Sequence, residues 1–138
     1  NAFAIFDFWT ADAAAGNWSA FLHANESVVM AGLVGKKNRA WVTRKRYLLI
    51  IQGGLEPRFL YIDPKQLIIK GEIKYHNQMK VEIKTNDKWT MEIPGRTFLW
   101  TCLDSIPAKD WVDAMLTVLK TWFRMCIPKV DVNIEKYE

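Results

Sequence analysis

A mainly β fold, with seven antiparallel strands forming a sandwich or barrel that one C-terminal helix caps, is predicted by three features of this sequence. Short β-rich runs follow one another through the middle of the chain, turn residues separate most of them, and a single amphipathic helical pattern closes the series. At 138 residues, half of them hydrophobic, the chain has room for one domain with a core of ordinary size.

The elements follow in order. Phe3, Phe6, Phe8 and Trp9 lead into an alanine-rich stretch at 11–15, which favours helix and which Gly16 can close. Asn17 can cap a second short helix carrying Trp18, Phe21 and Leu22 at spacings of three and four. Strands are expected at 28–34, 41–51, 58–62, 68–74, 79–84, 88–93 and 96–103. Gly53-Gly54, Asp63-Pro64, Asn86-Asp87 and Pro94-Gly95 supply turns between them.

A helix is expected over 107–126. Asp104 or Ser105 can cap it, Pro107 suits its first turn, and Ile127-Pro128 should stop it. Trp111, Met115, Val118, Trp122 and Met125 recur at spacings of 4, 3, 4 and 3 and make one apolar face, opposite Lys109, Asp110, Asp113, Lys120 and Arg124. After it, Val130, Val132 and Ile134 alternate with polar or charged residues, which leaves open an added strand or an unstructured tail. The expected organisation is a helical extension at 1–25, the β domain with its helix at 26–127, and a tail at 128–138.

Net charge is only +4, but its distribution is uneven. No acidic residue lies between Glu26 and Glu56, while Lys36, Lys37, Arg39, Arg44, Lys45 and Arg46 fall inside that gap. These six account for the whole positive excess over the 15 acidic residues, and a patch so concentrated attracts anions. In a strand Arg44 and Arg46 share one face while Lys45 points to the other. Two arginines on one face can make bidentate, charge-assisted bonds to phosphate. Lys36, Lys37 and Arg39, expected in the loop between the first two strands, can close over the same group. The competing reading is a solvated charge run.

Several classes of function are disfavoured. No apolar run approaches the roughly 20 residues a spanning helix needs. No basic segment leads into an apolar stretch with a small-residue cleavage site, and Asn1 in first place reads as the start of a fragment. Cys102 and Cys126 lack the spacing of a redox or zinc site, so two free thiols in a cytoplasmic protein are expected. His23 and His76 have no partner at metal-ligand spacing and read as surface residues. No phosphate-binding loop, kinase signature or nucleophile elbow is present, so neither catalysis, a metal nor a cofactor is expected of this chain. Seven tryptophans would suit a nucleic-acid stacking platform, but the basic residues cluster on one hairpin instead of lining a groove. Trp41, between Arg39 and Arg44, is the one expected at a membrane interface.

The segments Arg44-Lys45-Arg46-Tyr47-Leu48-Leu49, Leu60-Tyr61-Ile62-Asp63-Pro64, Ile69-Lys70-Gly71-Glu72-Ile73 and Gly95-Arg96-Thr97-Phe98, with Trp111 in the last helix, resemble the pleckstrin-homology (PH) family. Within it the likeness is to the C-terminal PH domains of phosphoinositide-dependent, AGC-group serine/threonine kinases. It covers about residues 17–124, including the preface with Trp18 and Phe21. The resemblance implies a PH-like sandwich or barrel whose Lys-loop-Arg-x-Arg arrangement grips inositol phosphates. It assigns Lys36, Arg44 and Arg46 to that role, with Lys70 and Arg96 as further contacts. The loop here is one residue longer and carries Asn38, so Lys37 and Arg39 both stand for the second loop contact. The implied function is recruitment from the cytoplasm to the inner face of the plasma membrane by phosphoinositide lipids, 3-phosphorylated forms favoured, with soluble inositol phosphates as equivalents. The alternative is a protein-interaction or autoinhibitory module on the same fold, including a homodimer or a contact with a kinase domain of the parent chain.

Overall fold

A computed structural model describes the backbone of residues 18–137 and the side chains of residues 18–123. Seven strands form one antiparallel sheet: β1 Ser27–Lys37, β2 Thr43–Gln52, β3 Arg58–Ile62, β4 Ile69–Lys74, β5 Lys80–Thr85, β6 Lys88–Ile93 and β7 Arg96–Cys102. Their order in the sheet is β4-β3-β2-β1-β7-β6-β5. β1 pairs with β2 along its whole length but with β7 only through Val34, Gly35 and Lys36, so the two halves of the sheet meet at a corner there.

All seven expected strands form, β1 running on three residues to Lys37 and β2 beginning two residues later at Thr43, because alternation writes the same inner column on each. Met30 and Val34, Leu48 and Ile50, Phe59 and Tyr61, Trp89 and Met91, and Phe98 and Trp100 join one buried cluster. The helix α1, Ala108–Tyr137, completes that cluster with Trp111, Val112, Met115 and Val118. Trp111 stacks on Trp89 at 5.4 Å between ring centroids. Gly32 is what lets the helix come so close, since a Cβ there would meet the Trp111 ring at 2.9 Å. Asp104 ties the helix approach to the sheet, accepting from the Leu33 N–H and the Ile106 N–H at 3.0 Å each.

A second cluster covers the outer face of β1–β3. Trp18 packs there with Ala31, Leu49, Ile51, Leu60 and Ile62, so β3 is buried on both sides. The expected second preface helix is a single 3-10 turn, Trp18–Phe21, and the helix expected at 11–15 lies outside the described residues. Arg58 fastens this turn to the sheet: its guanidinium donates to Glu26 at 2.7 and 2.8 Å, to Glu72 at 2.8 Å and to the Phe21 carbonyl at 2.6 Å.

The helix end differs from expectation. Instead of stopping at Ile127-Pro128, α1 runs on to Tyr137 and takes in the stretch read as a tail. Proline keeps a helical φ, and its missing N–H and the clash of its ring with the carbonyl four residues back together cost about 3 kcal/mol, so it weakens or kinks a helix without obliging the chain to leave it.

Candidate functional site

The hairpin register builds the site. Val34 pairs with Arg46, Gly35 with Lys45 and Lys36 with Arg44. Opposed residues share a face, so Lys36, Arg44 and Arg46 lie on the inner face with buried Val34, and Lys45 lies on the other. Along β2 the inner column thus passes from buried Ile50 and Leu48 to Arg46 and Arg44: the core ends in cations at the corner of the sheet.

Lys36 is the most enclosed of them, at 8% exposure, with its ammonium 5.0 Å from the Tyr61 ring centroid and 5.8 Å from that of Phe98. Burial holds its pKa below the ordinary lysine value, and the positive charges of Arg96, Arg46 and Arg39 add to the effect. Lys36 is placed by β1 itself, and so is Lys37, which corrects the expectation that both belong to the loop.

The third wall comes from β3 and β4. Their register passes from Tyr61↔Gly71 to Ile62↔Ile69, which leaves Lys70 as the unpaired residue of a bulge that aims it toward the hairpin. Gly71 is required beside it, because a Cβ there would fall on the Tyr61 ring that forms the floor under Lys36. In this segment Lys70 thus walls the cleft and Gly71 gives clearance to Tyr61, while Glu72 pairs with Arg58 and Ile73 enters the core.

Lys36, Arg44, Arg46 and Lys70 line one cleft of about 390 Å³ together with Asn38, Tyr61, Ile68 and Ile69. Lys37, Arg39 and Arg96 do not join them there. With Trp41, Thr90, Thr97 and Leu99 they line a second cleft of about 450 Å³ across the β1–β2 loop. The Phe98 ring is near cations of both clefts, with the Arg96 guanidinium 4.2 Å and the Lys36 ammonium 5.8 Å from its centroid.

The loop between is shaped by Asn38. Its side-chain oxygen accepts from the Ala40 and Val42 N–H groups at 2.9 and 3.0 Å, and its backbone N–H donates to the Val42 carbonyl at 2.9 Å. These bonds hold Trp41 at φ 63°, a left-handed conformation that costs a bulky residue roughly 1 kcal/mol or more. The Trp41 ring is 76% exposed, with the Lys37 ammonium 5.3 Å from its centroid.

Sequence reasoning missed Tyr61, Asn38 and Asp63 as parts of this site. Tyr61 was legible as an inner-face partner of Phe59 by alternation, and Asn38 and Asp63 as side chains that cap their own turns. Among the described residues only Arg46 of the cleft's four cations meets a carboxylate, Asp63 at 3.9 Å. His23 and His76 sit at the surface, and no group of three or more potential metal ligands occurs among the described residues. Cys102 is a free, half-buried thiol whose pKa burial pushes up to about 11, which makes it inert at neutral pH. No helix among the described residues is long and apolar enough to cross a membrane.

These features define a class: a small antiparallel β-module, its core completed by a C-terminal helix, whose inner face ends in a cluster of nearly unpaired cations. The PH domain profile matches residues 16–124, and the chain belongs to the PH domain family. It is 34% identical over 103 residues to "Probable serine/threonine-protein kinase pdkA" of Dictyostelium discoideum, an alignment covering 75% of this chain and 14% of that protein. It is similar also to "3-phosphoinositide-dependent protein kinase 1" of Caenorhabditis elegans, 29% identical over 73% of this chain and 15% of that one. The protein of the same name from Homo sapiens is 31% identical over 62% of this chain and 15% of its own length. The chain spans about a seventh of these relatives, and no catalytic domain is evident in it.

Proposed function

We propose that this PH domain is a phosphoinositide-binding module that recruits its parent protein to the inner face of the plasma membrane. In this reading it is the lipid sensor of a 3-phosphoinositide-dependent serine/threonine kinase, and 3-phosphorylated lipids are its favoured ligands. The observation that carries the reading is the convergence of Lys36, Arg44, Arg46 and Lys70 on one cleft. Cations held this close repel one another, and a bound phosphate relieves that repulsion while accepting their hydrogen bonds.

Lys37, Arg39 and Arg96 then act beside the headgroup pocket, and exposed Trp41 on the same loop enters the interfacial layer of the bilayer. Co-sedimentation with phosphatidylcholine vesicles tests this. Vesicles carrying a 3-phosphorylated inositol lipid should retain the domain more strongly than phosphatidylserine vesicles of matched charge. Part of that difference should survive high salt, since nonspecific attraction is screened first. Equal binding to the two vesicle types would reduce the site to a plain electrostatic patch.

A further inference from the structure

We propose that Asp63 selects among headgroups by charge: held rigidly at the β3–β4 rim of the cleft, it disfavours ligands that set a phosphate on the Arg46–Lys70 side. This rests on the headgroup reading above and deepens it. Asp63 is unusual in being an acid aimed at a cluster of cations without neutralising it.

Four hydrogen bonds fix the residue. Its Oδ1 accepts from the Lys65 and Gln66 N–H groups at 2.8 Å each. Its own N–H donates to the Ile68 carbonyl at 2.9 Å, and its carbonyl accepts from the Leu67 N–H at 2.8 Å. Oδ1 is thereby engaged by the turn, and Oδ2 is left facing Arg46, 3.9 Å from Nη1. That distance is too long for a hydrogen bond. Nη1 donates instead to the Lys45 carbonyl at 2.7 Å, so the rest of the guanidinium fork stays available to a ligand. The turn amides hold the Asp63 carboxyl below its ordinary pKa, and the charges of Arg46 and Lys70 act in the same direction, so it is anionic at neutral pH.

Two effects of this carboxylate oppose one another, and their sizes decide between them. Steering Arg46 counts for little, because the Lys45 carbonyl already holds the same nitrogen. Repulsion counts for more: a phosphate brought within about 7 Å of a fixed carboxylate loses on the order of fivefold in affinity, once the Coulomb repulsion at the dielectric of a protein surface is screened by physiological salt. A ligand with its phosphates elsewhere on the ring escapes that penalty, so the effect falls on the ranking of isomers.

The test titrates the full chain by calorimetry with a panel of inositol tetrakisphosphate isomers, which carry equal formal charge. Asp63→Asn keeps the turn's acceptor and removes the charge, and Asp63→Ser, which keeps a shorter acceptor, serves if the first variant is unstable. Glu56→Gln, an exposed charge removed elsewhere, is the control. Neutralising Asp63 should narrow the spread between the tightest and weakest isomer by about threefold or more, while Glu56→Gln leaves the spread unchanged. An unaltered spread in both Asp63 variants, or an equal narrowing in Glu56→Gln, overturns the proposal. If the unmodified chain binds no isomer more tightly than inorganic sulfate, the headgroup reading itself falls.

Discussion

Arg46 and Arg58 stand near opposite ends of the same sheet, yet the fold treats them in opposite ways. Arg58 is buried and saturated, with two carboxylates and a carbonyl around one guanidinium. Arg46 has one carbonyl and a carboxylate at 3.9 Å, and its fork opens into a cleft shared with three other cations. One arginine completes a structure and the other faces an open cleft. The difference lies in long-range partners: Glu26 is 32 residues from Arg58 along the chain, and nothing in local composition announces the pairing.

The largest expected effect is at the saturated end. Arg58→Met strands the buried Glu26 carboxylate and should lower unfolding free energy by about 3–5 kcal/mol in chemical denaturation. Headgroup affinity of the folded protein should stay within about twofold, because the cleft lies at the other end of the strands. A large affinity loss at unchanged stability would erase the contrast.

The same network sharpens the comparison through pH. Arg58 holds the Glu26 pKa below its ordinary value of 4.5, and the His23 N–H helps. A depressed carboxylate gives stability that is present above its unfolded pKa and lost as pH falls through the folded one. Stability should therefore drop as pH falls below 4.5, and Arg58→Met should flatten that acid limb without abolishing it, since Asp63 also titrates low. An identical acid limb in the variant would show that the ion network contributes no such linkage.

Lys36→Met is the smaller test, at the open end. Removing an enclosed cation that other cations repel should leave the unfolding free energy unchanged or slightly raised, by no more than about 1 kcal/mol, because the lost contact with the Tyr61 ring offsets part of the gain. Inositol phosphate binding should nevertheless fall. A marked loss of stability would make Lys36 a structural residue like Arg58.

The fold was legible in the sequence because period-two alternation and turn residues speak for each strand separately. The helix start was legible for the same local reason, while its end was misjudged: Pro128 carries a local penalty that the structure absorbs as α1 continues. The hairpin half of the site was legible too, since Arg44 and Arg46 need only strand parity to share a face. The remainder depends on register between distant strands. A bulge sets Lys70, Gly71 makes room for Tyr61, and Arg96 and Lys36 line different clefts. Residue type and spacing predict none of these three.

The central claim is that strand parity, and not charge count, makes this patch a site, and Arg46→Ala against Lys45→Ala tests it most directly. Both variants remove one positive charge from adjacent positions of β2, one on the inner face and one on the outer. Titrated by calorimetry with a soluble inositol tetrakisphosphate, Arg46→Ala should lose roughly 2 kcal/mol or more of binding, the strength of a charge-assisted hydrogen bond. Lys45→Ala should lose about 1 kcal/mol or less, the general attraction of one surface charge. Equal losses from the two folded variants would contradict the account and leave a solvated run of charge in place of a pocket.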